Sequence, residues 1–327
     1  MDNIEENPLA YILSKLVIAR YEQTKEQLIE LEDELRTVNR FFPDTIITRK
    51  IDTLIDAPHK VLKKGQIVYR CRLIDKFHEQ DFLKGCYDDL INKIREKIPN
   101  FGNTLGMYEH FKLIEYQQKN NMKNLFSEKE LESFVKKYSV KGWWGYDEDN
   151  SDAPPIGVTS AGRINPKGIS YLYASNSEKT SALEVRPVIT QYVSIAEIEI
   201  TENIKLFDFT ANYNDKEAEK HFEQSVDWSA LSEYFSQPNY SGESAYLATQ
   251  YISEYIKNLK DKIGNNIFDG LCFRSSLDSK GLNYVLFDTS ENKKYKVNCS
   301  SLFQVKDLTG TLERYLPLAL EGGESNS

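Results

Sequence analysis

The stretch AGRINPKGISYLYA, residues 161–174, decides how this chain is read. Gly162 and Gly168 bracket an arginine, an asparagine and a proline, and an aromatic run follows at once. Glycine and proline so placed make a tight turn, and the run at 169–174 has strand character. Arg163 then has two readings. It is a solvated loop residue, or the turn brings backbone close to a ligand and Arg163 offers a forked donor to phosphate.

Working downstream, 177–185 reads as a short helix containing Glu184 among small and apolar neighbours. A carboxylate near a buried face needs a partner. Arg186 is one candidate; the alternative is a catalytic carboxylate held near Arg70 or Arg163. Strands are expected at 191–200 and 204–209, and an amphipathic helix at about 245–260. Two late strands, 270–273 and 283–287, flank the polar turn Arg274-Ser275-Ser276. Those serines suit either a ligand-facing strand end or an ordinary turn.

Upstream, residues 66–70 form an apolar, β-branched strand ending in Tyr69-Arg70. Residues 79–140 are helical in pattern, and Ser127 with Glu130 has capping-box spacing. An aromatic patch with an acidic, proline-closed loop covers 142–155. From Pro8 to about Phe42 runs a long helix in which Leu28, Leu31, Leu35 and Val38 repeat at 3-4-3 spacing. That seam packs on the domain or pairs with another copy of the chain; packing on the domain is the favoured reading. The last residues, from Glu321, read as a frayed tail. Strands and helices mix without strict alternation, which places the chain in the α+β class.

Composition narrows the function classes. The net charge of −9 argues against a nucleic-acid binder, which collects phosphates on a basic surface. The four cysteines, Cys71, Cys86, Cys272 and Cys299, form no CxxC pair and read as reduced structural thiols. No signal-type leader and no membrane-length apolar run is visible, so a cytoplasmic location without membrane contact is expected. The four histidines match no catalytic motif, and no P-loop, dinucleotide fingerprint or HExxH occurs. Glu197 and Glu199 resemble the paired glutamates of arginine-modifying ADP-ribosyltransferases, but their strand alternates with Ala196, Ile198 and Ile200, and a solvated face is the better reading.

Taken in order, these residues resemble the RES domain family, named for its Arg, Glu and Ser. Arg70 matches the first arginine, and Arg163 that of the glycine-asparagine-proline turn. Tyr173 and Glu184 match the tyrosine and glutamate that follow, and Ser275 the serine, with Ser276 a near rival. The resemblance covers roughly 65–290 and is most specific around 162–184. The interval from Arg70 to Arg163 is longer than in compact members, and Ile164 stands where an aromatic is common; both suit a larger subgroup with a helical insertion.

The resemblance implies an ADP-ribosyltransferase-like mixed or antiparallel sheet at 61–310 with an insertion at about 79–140. A helical extension at 1–60 precedes it and a tail at 311–327 follows. It further implies NAD⁺ degradation, by a glycohydrolase or phosphorylase, in a growth-arresting toxin or defence effector. Arg70, Tyr173, Glu184 and Ser275 would be catalytic; Tyr69, Arg163, Asn165 and Ser276 would bind NAD⁺. The leaving group is already cationic, so no metal is expected. An Xre-type antitoxin is the implied partner. The alternatives are a transferase placing ADP-ribose on a macromolecule, or a non-catalytic scaffold working through the N-terminal helix, which is also the candidate surface for a homo-oligomer.

Overall fold

The computed structural model describes residues 8–74, 79–102, 106–120, 125–130, 132–133, 145–210, 220–237 and 246–308. Its centre is an eight-stranded sheet in the order β1-β5-β6-β7-β3-β2-β4-β8. The strands are β1 (Lys60–Leu62), β2 (Ile67–Leu73), β3 (Leu172–Ser175), β4 (Tyr192–Ile200), β5 (Ile204–Asp208), β6 (Gly270–Arg274), β7 (Leu282–Leu286) and β8 (Tyr295–Gln304). Every pairing is antiparallel except β5 with β6. The class is α+β, as the element pattern implies.

Period-2 alternation sorts the strand residues into two layers. Leu271, Phe273, Val285 and Phe287 point to one side, into a core completed by four helices. These are α1 (Pro8–Thr37), α2 (Ile47–Asp52), and two that follow α3 (Glu79–Lys97), α4 (Met107–Lys119), α5 (Glu148–Ser151) and α6 (Glu178–Glu184): α7 (Phe222–Ser236) and α8 (Leu247–Lys257). Cys272, Tyr284 and Leu286 point to the opposite side, against Leu172, Ala174 and Ile198. Phe209 stacks on Phe235 with centroids 3.8 Å apart, fastening α7 to the sheet. His59 lies among Phe207, Trp228 and Phe268. Burial pushes it down to about 4, so it is neutral; its Nδ1 accepts from the Asp208 N–H and its Nε2 faces the Leu54 carbonyl. It is a core residue.

The leucine seam of α1 faces inward. Leu28, Leu31 and Leu35 are buried with Trp228 and Ile252, whereas Val38, the fourth residue of the row, lies beyond the helix end and is exposed. The helix stops at Thr37, short of Phe42, and Asn39 then turns the chain by accepting the N–H groups of Phe41 and Phe42. Asp227 on α7 anchors α1 and α2 through Arg20, Thr24 and Lys50. Among the described residues no helix is long and apolar enough to cross a membrane.

Sequence patterning misses β1, β8, α2, α5 and α7. The capping box is present: the Ser127 N–H donates to Glu130 Oε2, and the Glu130 N–H to Ser127 Oγ. The tail, Cys86 and the tryptophan pair at 143–144 lie outside the residues whose side chains are described. Cys71, Cys272 and Cys299 are buried and in no disulfide. Burial pushes Cys71 up to about 12, which leaves it an unreactive thiol at neutral pH.

Candidate active site

The sheet parts at the candidate site. β2 follows β4 along its whole length, from Ile67↔Glu199 to Leu73↔Val193, but meets β3 only at Tyr69↔Ser175. Beyond that bridge β2 and β3 diverge, and side chains from both faces of β2 border the gap. Tyr69, Arg70 and Cys71 enter a cleft of about 420 Å³ there, within the usual range for small-molecule sites.

Its floor is the turn singled out in the sequence. Asn165 is buried and its amide donates to the carbonyls of Ser160, Pro166 and Ile169, while its Oδ1 accepts from the Tyr173 hydroxyl at 2.7 Å. The same hydroxyl accepts the Ile164 N–H. Burial pushes the Tyr173 phenol well above its ordinary value, so it stays protonated. Gly162 is required by close approach: a Cβ there would lie 2.6 Å from Asn165 Oδ1 and 3.0 Å from the Tyr173 hydroxyl oxygen. Gly162→Ala is therefore expected to push this pair apart, costing about 1–3 kcal/mol as an overpacking change. Thermal unfolding checks it, and an unchanged Tm would mean that the turn yields without resistance.

Two arginines reach the cleft, each steadied from behind. Arg163 Nη1 donates to the Phe235 carbonyl at the end of α7, and its own carbonyl accepts the Thr249 hydroxyl of α8. Arg70 Nη1 donates to the Tyr173 carbonyl at 3.1 Å. Its Nε is buried without a partner, a donor such as folded proteins rarely leave unused. Burial, with Arg72 nearby, pulls Arg70 down to about 10, still protonated at neutral pH.

Glu184 ends α6. Ser177 caps the start of that helix by accepting the Thr180 N–H, and Thr180 Oγ1 in turn donates to Asp278, tying α6 to the 275–281 loop. Glu184 Oε1 accepts from Ser275 Oγ at 2.6 Å and from Asn283 Nδ2 at 2.7 Å. Both bonds fall on one oxygen, and Oε2 has no protein partner among the described residues. The partners of Glu184 are thus Ser275, just past the end of β6, and Asn283 on β7 rather than Arg186.

The structure brings Tyr69, Arg70, Arg163, Tyr173, Glu184 and Ser276 to one cleft. Asn165 and Ser275 stand behind it. Asn165 is consumed by the turn. Ser275 is buried, and its oxygen accepts the N–H groups of Leu277 and Asp278 while donating to Glu184, so it positions the carboxylate and leaves the cleft wall to Ser276. Glu197 and Glu199 do not line the cleft; Glu199 pairs with Lys296 and Asn298. Sequence reasoning missed Asn283, Tyr246 and Phe273 as wall residues. Asn283 carried a readable signal: an amide inside an apolar strand needs a buried partner.

A family model described as RES domain matches residues 138–305, slightly more than half the chain. The chain belongs to the RES domain family. The match starts later than the sequence resemblance, at 138 rather than near 65, so Tyr69 and Arg70 lie outside it. It is the pairing of β2 between β3 and β4 that brings them to the cleft. Among solved structures, the chain is similar to the M. tuberculosis MbcT–MbcA toxin–antitoxin complex, at 9% identity, over 80% of this chain and 92% of that one, with a TM-score of 0.32. No curated protein matches it.

Proposed function

We propose that this RES domain binds NAD⁺ in the cleft and cleaves its nicotinamide–ribose bond. The observation that carries the reading is Glu184, a carboxylate with one oxygen fixed by Ser275 and Asn283 and the other unpartnered among the described residues, sharing a cleft with Arg70 and Arg163. Breaking the glycosidic C–N bond sends its electron pair to nicotinamide, which departs neutral, and leaves oxocarbenium character on the ribose. A carboxylate already held in place stabilises that charge without reorganising, and its free oxygen accepts a ribose hydroxyl. Arg70 and Arg163, which both line the cleft, hold the diphosphate. The rings of Tyr69, Tyr173, Tyr246 and Phe273 offer faces for nicotinamide or adenine. The hydroxyl of Tyr173 is committed to the turn, so this tyrosine contributes its ring.

Water or phosphate then adds at the ribose carbon, giving ADP-ribose or its 1″-phosphate. Family membership extends the proposal to a growth-arresting toxin held in check by an Xre-type antitoxin, with 61–310 as the processing domain. The test is NAD⁺ consumption by purified full-length protein, with and without phosphate, resolving free products from protein-bound ADP-ribose. Consumption with free ADP-ribose or its phosphate supports the proposal. Label recovered on macromolecules would make the protein a transferase, and intact NAD⁺ in every arm would overturn the reading.

A further inference from the structure

A second cavity, of about 580 Å³, lies behind the turn that carries Arg163. It is closed from one side by Arg40 and Phe41, just past the end of α1, and from the other by Lys167 and by Tyr251 and Tyr255 of α8. Arg40 and Phe41 fall outside the matched RES residues, so the cavity exists because the N-terminal segment packs on the domain.

Its chemistry is specific. Phe41 is 77% exposed, yet its backbone is pinned by Asn39, so a large ring is held in solvent beside two tyrosines. Arg40 and Lys167 have neither a hydrogen-bond nor an ion-pair partner among the described residues. The one carboxylate among the described residues lining the cavity, Glu254, is already answered by the Tyr171 hydroxyl and by Lys257 at 3.7 Å. Two unanswered cations and three aromatic rings around one hollow suit a ligand that is both planar and anionic.

We propose that this cavity is a second ligand site, for an aromatic ring bearing a phosphate, the chemistry of a nucleoside monophosphate. The site is separate from the cleft and does not depend on what the cleft cleaves. It nevertheless touches the cleft's floor. Gln250 lines the cavity and donates to the Gly162 carbonyl at 2.7 Å, and Pro166 and Lys167 belong to the same turn as Arg163. Occupancy of the cavity therefore bears on the loop that positions Arg163.

Calorimetric titration of the full-length protein with AMP, and separately with adenosine, tests the proposal. AMP is expected to bind saturably at one site, with adenosine weaker by about 10-fold or more, the worth of a charge-assisted hydrogen bond. Arg40→Glu combined with Lys167→Glu is expected to weaken AMP by about the same factor with Tm unchanged, since both side chains are exposed. Tyr251→Ala should weaken AMP and adenosine alike by removing a stacking face. Absence of AMP binding, equal affinity for adenosine, or an affinity indifferent to the charge reversal would each overturn the site; the last would place AMP elsewhere, as in the first cleft.

Discussion

Glu184→Gln is expected to lower NAD⁺ turnover by roughly 10²–10³-fold, the range seen when one preorganised electrostatic group is removed from an active site. The substitution suits the local geometry. An amide oxygen takes the place of Oε1 and still accepts from Ser275 Oγ and Asn283 Nδ2, so neither buried donor loses its acceptor. The amide nitrogen then replaces Oε2. It brings no negative charge to the ribose cation and offers a donor where an acceptor is needed. Turnover is lost while the fold holds, because the swap conserves volume and internal bonding. Glu184→Ala, by contrast, strands two buried donors and adds about 1–3 kcal/mol of destabilisation for each to the catalytic loss. Steady-state rates beside thermal unfolding of both variants separate the effects. Turnover of Glu184→Gln within a few-fold of wild type would move the chemistry away from this carboxylate.

The site was legible where backbone constraint and chemistry coincide in a short stretch. Gly162, Asn165 and Tyr173 build one object: the tyrosine hydroxyl bonds Asn165, and the glycine leaves room for both. Such local interlocking leaves a spaced pattern in one dimension. Ser275 and Glu184 are far apart in the chain, and their spacing alone says nothing of their contact; here the family pattern supplied what local physics could not. It could not supply roles. A serine and an asparagine that serve the turn or the carboxylate have the same letters as ones that touch substrate, and only the hydrogen bonds of Ser275 and Asn165 place them behind the cleft wall.

The elements missed in the sequence have physical reasons too. In α7, Val226, Trp228, Leu231 and Phe235 share the buried side with Asp227 and Ala230, so the apolar stripe that marks an amphipathic helix is blurred. In β8 the row Tyr295, Val297 and Cys299 alternates correctly, then Ser300 is buried next to Cys299 where β4 shifts register at Glu197/Ile198, and the period is lost. Lys60–Leu62 is too short for any periodicity and owes its state to pairing with β5. Arg70 shows the converse. Its strand was plain, but that both of its neighbours and Arg70 itself reach one cleft follows from the parting of β2 and β3, which no local pattern encodes.

Asp227→Ala is expected to destabilise the fold by about 3–5 kcal/mol, the cost of breaking a buried ion pair from one side. The Asp227 side chain is 3% exposed and Lys50 is 11% exposed. Lys50 Nζ lies 2.7 Å from Oδ1, Arg20 Nη2 lies 2.7 Å from Oδ2, and the Thr24 hydroxyl donates to Oδ1 at 2.8 Å. Without the carboxylate, a buried ammonium is left with Thr24 for company, and among the described residues Arg20 keeps the exposed Glu223. At the 2–4 °C per kcal/mol typical of chains of 150–250 residues, Tm falls on the order of 10 °C. Lys119–Glu115 is the control: both side chains are well exposed, and Glu115→Ala should move Tm by less than about 2 °C. The loss reaches the cleft as well. α7 carries Asp227 on one turn and, at its far end, the Phe235 carbonyl that steadies Arg163, so loosening the α1–α7 contact frees the arginine assigned to the diphosphate. A raised KM for NAD⁺ with a smaller change in kcat is the expected signature. A Tm within 2 °C of wild type would mean that α1 and α2 are held by their leucine seam alone, and that the ion cluster contributes no more than a surface pair.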